Sequence, residues 1–246
     1  MSTSIASKIV LITGANQGIG FAIAKSLSSK PDYHVLMGSR DAQRGIDAAK
    51  KLQEQGLHAE PITIDVTSDE SIAKATQQVM NQFGRLDVLI NNAGVSLKED
   101  SISGLELRKI YQDTFAVNTF GAALTTESFI PLLKSSPTPR IVFMSSVLSS
   151  LTNEQKYPAY LPVYRSSKSA LNMLMMHYAS TYKDAGWKIN ASCPGYCATN
   201  LNAFAGMDTP DNGPLNAVRL ATLGGDGETG TFFEQGGGDC LVDYEI

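Results

Sequence analysis

The chain contains few cysteines, and their number and spacing argue against a disulfide framework. Three cysteines, Cys193, Cys197 and Cys240, occur among 246 residues, and such an odd, sparse set is typical of a protein from a reducing compartment. Cys193 and Cys197 do not have the two-residue gap that is usual in zinc sites, and the three histidines are scattered along the chain. We therefore expect a cytoplasmic protein with neither disulfides nor a metal site.

The chain also lacks long apolar runs and blocks of basic residues. No stretch of about 18 or more apolar residues occurs, so no transmembrane helix is expected, and residues 1–8 lack the apolar centre of a secretory signal. The 20 lysines and arginines are outnumbered by 24 aspartates and glutamates, and the formal net charge is −4. We accordingly expect binding neither to nucleic acid nor to membranes.

What the chain does contain is a regular alternation of apolar runs of strand length with segments of helix length. The predicted strands cover residues 8–13, 33–38, 59–64, 86–91, 140–145, 188–193 and 230–234. The predicted helices cover residues 18–30, 41–55, 68–83, 105–133 (as one helix or two) and 163–185. Near-continuous apolar strands, each followed by a helix, indicate a parallel sheet covered on both faces. With right-handed crossovers, this predicts an α/β fold: one doubly wound Rossmann-type domain over residues 1–246, with a mainly parallel seven-stranded sheet.

The first predicted strand runs into a glycine-rich turn, Thr-Gly-Ala-Asn-Gln-Gly-Ile-Gly, at residues 13–20. Glycines let the backbone turn sharply and approach a pyrophosphate closely, and the helix that follows offers free N–H groups to it. Because this turn follows a strand and opens a helix, it predicts a dinucleotide site rather than a turn without a ligand. The candidate contacts with the cofactor are Gly14, Asn16, Gln17, Gly18, Ile19 and Gly20.

The spacing Thr-Gly-x-x-x-Gly-Ile-Gly resembles that of the short-chain dehydrogenase/reductase family, and the motifs below extend the resemblance over nearly the whole chain. The resemblance implies an adenine-contacting pair after the third strand and an Asn-Asn-Ala-Gly motif beside the adenosine and ribose after the fourth. It also implies contacts to the nicotinamide carboxamide and the diphosphate after the sixth strand. These positions are Asp65, Val66, Asn92, Ala93, Gly94, Pro194, Gly195 and Thr199. Asparagine and glycine also form turns, so a structural role for Asn91 and Asn92 stays open.

The end of the second predicted strand, Gly38-Ser39-Arg40, favours NADP(H) over NAD. An acidic residue at this place binds a ribose 2′-hydroxyl, whereas an arginine nearby accommodates a 2′-phosphate. Arg40 brings a guanidinium suited to phosphate, and Ser39 is neutral. Asp41 could reach a ribose, although it also suits the N-cap of the following helix.

Tyr164 and Lys168 are four residues apart on a predicted helix and therefore share one face of it. That helix follows the fifth predicted strand, which ends in Ser145-Ser146, and the family carries its Ser and Tyr-x-x-x-Lys in these places. The resemblance thus assigns catalytic roles to Ser146, Tyr164 and Lys168, with Ser145 as the second choice for the serine. Asn118 matches the family's asparagine on the preceding helix, where it would anchor a water that relays protons to Lys168.

These residue types fit the reduction of a carbonyl, which needs a hydride on carbon and a proton on oxygen. A free tyrosine has a pKa near 10, and we expect the Lys168 ammonium to lower the pKa of Tyr164 by favouring the phenolate. Tyr164 would then serve as general acid in reduction or as general base in oxidation, while Ser146 hydrogen-bonds the carbonyl oxygen. The resemblance also implies that Lys168 holds the nicotinamide ribose.

The glycine turn and residues 193–201 and 227–233 are most similar to the carbonyl reductase branch of the family. That branch reduces aldehydes, ketones and quinones with NADPH, so we expect a small-molecule carbonyl substrate. Two alternatives stay open: an NAD(P)-dependent alcohol dehydrogenase that works in oxidation, and a non-catalytic regulator that senses NADP(H). A regulator would have no need of the four catalytic residues together.

The substrate side is expected to involve an irregular stretch at residues 196–214, because it follows the sixth predicted strand at the ligand-binding edge of the sheet. Ser146 and Tyr164 are 18 residues apart, farther than in many family members, and the extra residues, around 156–162, would form a loop at the pocket mouth. This loop could disturb the helix pairing by which the family often dimerises, so the oligomeric state stays open, with a homo-oligomer as one possibility. An apolar lining and simple packing on the body are both open for Leu148, Tyr160, Tyr196, Leu201, Phe204 and Met207.

Overall fold

The computed structural model of the chain describes residues 7–99, 103–151 and 160–234. The strands are β1 (Lys8–Ile12), β2 (Tyr33–Ser39), β3 (Ala59–Thr63), β4 (Val88–Asn91), β5 (Arg140–Met144), β6 (Lys188–Ser192) and β7 (Phe232–Phe233). The α-helices are α1 (Gly18–Ser28), α2 (Ala42–Gln53), α3 (Asp69–Phe83), α4 (Gly104–Phe115), α5 (Ala122–Lys134), α6 (Pro162–Thr181) and α7 (Leu215–Ala221). A π-helical segment, Ala116–Gly121, joins α4 to α5, and short 3-10 turns cover Val147–Ser149 and Asn200–Asn202.

The described strands form one seven-stranded parallel sheet in the order β3-β2-β1-β4-β5-β6-β7. β1 lies next to the central strand β4; one side of the sheet is built outward from β1 to β3, and the chain then crosses back to β4 and builds the other side. The carboxyl ends of β1 and β4 lie side by side at this reversal, which is where an open α/β sheet binds its ligand. The predicted doubly wound, single-domain α/β fold is confirmed, and the described sheet is parallel throughout.

Two apolar clusters cover the two faces of the sheet. Successive residues of β1 alternate between them: Ile9 and Leu11 belong to one cluster, and Val10 and Ile12 belong to the other, as the two-residue period of a strand requires. Side chains of α3, α5 and α6 complete the first cluster, and side chains of α1, α2 and α7 complete the second. Burial on both faces explains why the strands are nearly continuous apolar runs.

The region predicted as one helix or two, residues 105–133, is a helical run interrupted by the π-helical segment. The last residue of the π-helical segment, Gly121, packs against Val66 in the loop between β3 and α3. A Cβ on Gly121 would be 2.8 Å from both the backbone oxygen and a methyl group of Val66. Only glycine therefore fits this close contact. A π segment inside an α-helix often marks a functional site, and this one carries Asn118.

Most of the remaining differences from the sequence prediction concern the ends of elements. The helix predicted for residues 18–30 ends at Ser28, and the helix predicted for residues 163–185 ends at Thr181. The strand predicted for residues 230–234 is formed by Phe232–Phe233 alone. Helix α7 was not predicted from the sequence, because its single short apolar run adjoins the irregular stretch and offers little periodicity. Cys240 and residues 156–159 lie outside the described residues.

Two further findings apply to the described ranges. None of their helices combines the length and the hydropathy that a bilayer crossing needs. Within the same ranges, no group of three or more histidine, cysteine, aspartate or glutamate side chains is placed to hold a metal ion.

Candidate active site

The glycine turn between β1 and α1 forms a shallow cradle at the centre of the sheet edge. Gly14 and Gly18 have left-handed backbone angles, with φ of +64° and +57°, which favour glycine. A Cβ at Gly20 would lie 2.5 Å from the Gly14 oxygen and would also collide with the Asn92 amide. No side chain caps α1, whose N-cap is Gln17, and its first turn has no acidic residue. The first N–H groups of α1 can therefore receive an anion, so the turn fits a dinucleotide pyrophosphate.

Asn92 and Ala93 support the cradle from β4. The Asn92 side chain donates to the backbone oxygens of Thr13 (2.8 Å) and Gly14 (3.1 Å), and the Thr13 hydroxyl accepts from the backbone N–H groups of Asn92 and Ala93, both at 3.0 Å. The structural role that the sequence left open for Asn92 is therefore real. It fastens the glycine turn of β1 to the end of β4, where the strand order reverses.

At the end of β2, the Asp41 carboxylate is hydrogen-bonded to the helix that follows. The Asp41 carboxylate accepts from the backbone N–H of Arg44 at 3.0 Å and lies 3.7 Å from the Arg44 side chain, so it is the N-cap of α2. The buried Ser39 hydroxyl donates to the backbone oxygen of Asp41 at 2.8 Å. Arg40 is exposed at the same edge. The edge therefore presents a guanidinium, while the competing carboxylate is held by its own helix.

Asp65 and Val66 follow β3 at the same edge of the sheet. One oxygen of the Asp65 carboxylate accepts from both the backbone N–H (2.9 Å) and the hydroxyl (2.7 Å) of Thr67, which stabilises the turn into α3. Val66 is buried against Gly121. The two residues lie where the resemblance puts an adenine contact, and each also has a structural task.

The predicted catalytic serine, tyrosine and lysine come together between β5 and α6. The Ser146 side chain lies close enough to the Tyr164 phenol to lower its pKa, as a hydrogen-bond partner does. Lys168 lies one turn after Tyr164; its Nζ is 5.9 Å from the centroid of the phenol ring and donates to the backbone oxygen of Met144 at 2.8 Å. Tyr164 and Lys168 are both buried, at 9% and 4% exposure, so charge on either group is costly.

Burial decides the protonation of this pair. It raises the pKa of Tyr164 above its ordinary value, outweighing the hydrogen bond with Ser146, which acts in the opposite direction. Burial also lowers the pKa of Lys168 to about 8. The expected lowering of the Tyr164 pKa is therefore wrong in its net direction, because desolvation of the phenolate outweighs any stabilisation by the Lys168 charge. At neutral pH the tyrosine holds its proton and the lysine is still largely charged.

Asn118 connects the catalytic helix to the segment that follows β4. Its side-chain amide accepts from the backbone N–H of Val95 (2.8 Å) and donates to the Val95 oxygen (2.9 Å) and to the Ser167 hydroxyl (3.0 Å). A Cβ placed on Gly94 would be 3.4 Å from both the Asn118 oxygen and the Lys168 nitrogen. The Asn118 oxygen and the Lys168 nitrogen thus converge on Gly94, and the water relay that the resemblance implies stays a prediction.

Ser145 is committed to the interior and not to the site. Its hydroxyl donates to the Asn172 side chain at 2.6 Å, and Asn172 donates in turn to the Ser149 hydroxyl at 2.7 Å. Ser146 is therefore the serine beside Tyr164. The sequence analysis missed Asn172, although its spacing of four residues from Lys168 placed it on the same helix face.

The two described cysteines are buried, free thiols. The Cys193 sulfur accepts from the backbone N–H groups of Val147 and Gly195, both at 3.4 Å, and burial raises its pKa. Burial also raises the pKa of Cys197 to about 11. Since the thiolate is the reactive form, neither group is activated as a nucleophile.

The predicted substrate-side stretch, residues 196–214, folds back on itself and reaches the glycine turn. Asn200 donates to the Gln17 side chain at 3.0 Å. A Cβ at Gly18 would lie 3.5 Å from the Thr199 methyl group, and Gly213 lies directly against Ile19. The stretch therefore brings Thr199, which follows Pro194 and Gly195 in the sequence, to the glycine turn.

The predicted apolar lining of the substrate side is mostly open to solvent. Leu148 is half-buried, and the other five candidates are exposed by 41 to 92%: Leu201, Tyr160, Tyr196, Phe204 and Met207. Such exposure is compatible with a binding surface, and the assignment of these residues stays a prediction.

Comparison with known proteins adds a family and a set of relatives. The model of the short chain dehydrogenase family matches residues 8–209. The short-chain dehydrogenase/reductase ATR10 of Stachybotrys chlorohalonatus is 39% identical, over 94% of this chain and 90% of that protein. Salutaridine reductase from Papaver somniferum has a TM-score of 0.80 at 26% identity, over 92% of this chain and 99% of its own. An NADPH-bound carbonyl reductase from chicken fatty liver has a TM-score of 0.81 at 25% identity, over 94% and 97%.

Proposed function

Since the chain belongs to the short-chain dehydrogenase family, we propose that it reduces the carbonyl group of a small aldehyde or ketone with NADPH. One observation carries the proposal. The Ser146 side chain lies beside Tyr164, a buried tyrosine whose pKa is raised by burial, and the buried Lys168 follows one helical turn later. This set supplies a proton donor, a hydrogen bond and a positive charge around one point, which is what the reduction of a carbonyl needs.

Tyr164 is suited to the donor role because burial raises its pKa. The phenol keeps its proton at neutral pH and releases it when the carbonyl oxygen has gained negative charge, since an alkoxide is far more basic than a phenolate. The Ser146 hydroxyl would hydrogen-bond the same oxygen. The Lys168 ammonium would stabilise the phenolate that remains. A bound nicotinamide would supply the hydride.

The protonation state of Tyr164 also agrees with reduction at neutral pH. Oxidation of an alcohol would need Tyr164 as a phenolate base, and burial opposes that form. Reduction uses the protonated form that burial favours. The raised pKa therefore supports a reductase rather than a dehydrogenase that works in oxidation.

NADPH is proposed as the cofactor on the charges at the end of β2. Arg40 is exposed there, and Asp41 is engaged as the N-cap of α2. A guanidinium suits a ribose 2′-phosphate, whereas an acidic residue available to the ribose would suit NAD. The carbonyl reductase from chicken fatty liver, a structural relative, binds NADPH, which agrees with this choice.

The test is an assay of the purified protein with NADPH or NADH and a panel of aromatic aldehydes, α-diketones, quinones and aliphatic ketones. Loss of the reduced-nicotinamide absorbance measures turnover. Faster oxidation of NADPH than of NADH, dependent on a carbonyl compound, is the expected result. Turnover with NADH alone would overturn the cofactor assignment, and tight NADPH binding without turnover across a wide panel would favour a regulator.

A further inference from the structure

The catalytic helix α6 begins without a cap from its own sequence. Its N-cap residue, Leu161, has an apolar side chain and a left-handed backbone with φ of +53°, a conformation that is strained for any residue but glycine. The next residue, Pro162, has no backbone N–H. The Leu161 oxygen accepts the N–H of Arg165 at 2.9 Å. The N–H groups of the first turn that need a partner are therefore those of Val163 and Tyr164.

Glu99 caps both groups from a distant part of the chain. One oxygen of its carboxylate accepts from the Val163 N–H and the other from the Tyr164 N–H, each at 2.9 Å. A carboxylate at this end of a helix also interacts favourably with the helix dipole. One of the two amides belongs to the proposed proton donor itself, so Glu99 acts directly on the backbone that carries the reacting side chain.

Glu99 also ends the segment that leaves the cofactor motif. This segment, residues 95–99, begins at Val95, whose N–H and C=O are both bonded to the Asn118 side chain. It ends at Glu99, which holds the first turn of α6. The segment therefore links the π-helical segment that carries Asn118 to the backbone of Tyr164.

We propose that Glu99 is a positioning residue for catalysis, one that fixes the first turn of α6 and thereby the Tyr164 hydroxyl beside Ser146. The inference rests on the proposed carbonyl reduction and assigns no chemical step to Glu99 itself. Without the carboxylate, two amides of a turn with a strained N-cap lose their partners. That turn can then shift, and small displacements of a reacting group have large effects on rate.

The test compares Glu99→Ala and Glu99→Gln with a control that loses another carboxylate that also contacts α6 from a different element. The control is Glu127→Ala, because Glu127 accepts the Tyr178 hydroxyl at 2.8 Å near the other end of α6. We expect Glu99→Ala to lower kcat by roughly ten- to a hundredfold, with the KM for NADPH unchanged. The kcat of Glu99→Gln should lie between those of the wild type and Glu99→Ala. The amide oxygen of glutamine can replace one acceptor, and its NH2 group cannot replace the other. Glu127→Ala should keep the wild-type kcat.

Hydrogen exchange of the backbone amides at residues 163–168, measured without substrate, provides the second readout. Exchange should accelerate in both Glu99 variants and stay at the wild-type rate in Glu127→Ala. If the wild-type protein reduces no carbonyl, the proposed function fails, and unchanged exchange in the Glu99 variants would still overturn the cap. An unchanged kcat in Glu99→Gln and Glu99→Ala overturns the positioning role, as does an equal loss of kcat in Glu127→Ala. If Glu99→Ala does not fold, Glu99→Gln alone decides.

Discussion

Lys168 lies one helical turn after Tyr164, and its ammonium nitrogen donates to the backbone oxygen of Met144 while remaining 5.9 Å from the centroid of the Tyr164 ring. The lysine is therefore anchored to the end of β5 and not to the phenol. Burial raises the pKa of Tyr164 and lowers the pKa of Lys168, so it favours the neutral form of both groups. This arrangement makes the pair sensitive to any change in charge or solvent access, and it leads to the first two predictions.

Tyr164→Phe should lose at least about a hundredfold in kcat, because the variant keeps the ring and its packing but has no proton to donate. NADPH binding should be close to that of the wild type. Tyr178→Phe is the matched control, since Tyr178 is another buried tyrosine of α6 whose hydroxyl bonds to Glu127. Steady-state kinetics and a fluorescence titration with NADPH provide the check. Turnover retained in Tyr164→Phe would exclude the tyrosine as the acid.

The rate of reduction should fall as the pH rises through about 8. Burial lowers the pKa of Lys168 to about 8, so the side chain is charged below that pH and neutral above it. The charge stabilises the phenolate that forms as Tyr164 gives up its proton, so this help is present at lower pH and lost at higher pH. A profile of kcat from about pH 6 to about pH 10 measures the effect, with Lys168→Arg as the comparison. Arginine stays charged over this range, and a fall at the same pH in that variant would contradict the assignment.

Arg40→Asp should change the cofactor preference toward NADH. The substitution removes the guanidinium that suits a 2′-phosphate and places a carboxylate where it can bind a 2′-hydroxyl. The ratio of kcat/KM for NADPH to that for NADH should fall by at least about tenfold, on the scale of hydrogen bonds to charged groups. Arg108→Asp, an equal change of charge on the exposed surface of α4, should leave the ratio unchanged. An unaltered ratio in Arg40→Asp would mean that another residue binds the 2′-phosphate.

Gly20→Ala should abolish measurable cofactor binding while leaving most of the fold in place. The added methyl would lie 2.5 Å from the Gly14 oxygen and collide with the Asn92 amide, so the cradle must open. Gly225→Ala is the matched control, because a Cβ there meets no atom within 4 Å and the backbone has no positive φ. Isothermal titration with NADPH, together with circular dichroism, separates lost binding from lost structure. Normal affinity in Gly20→Ala would remove the glycine turn from the site.

Much of the site could be predicted because its signals are local in the sequence. The glycine turn lies between one strand and one helix, and Tyr164 and Lys168 are one turn apart on a single helix. The N-cap role of Asp41 is also a local pattern. In each case a few adjacent residues and the geometry of one element are enough.

The features that could not be predicted depend on distant contacts or on burial. Glu99 caps Val163, which lies 64 residues later in the sequence, and no short pattern connects the two. The π-helical segment ends at Gly121, which packs closely against Val66, a residue far away in the sequence. The sequence predicted a lowered pKa for Tyr164, whereas burial raises it. A neighbouring lysine is visible in the sequence, and the extent of desolvation is not.

The parallel strand order also bears on how the chain folds. β1 pairs on one side with β2, with Lys8 opposite Tyr33, and on the other side with β4, with Val10 opposite Val88. The second pairing closes a far longer loop, and closing it costs chain entropy before the new contacts can repay it. We expect β1, β2 and β3 to gain protection first in pulsed hydrogen exchange. The crevice between β1 and β4 would then be absent until the second half of the sheet has docked, so cofactor affinity should be a late property of folding.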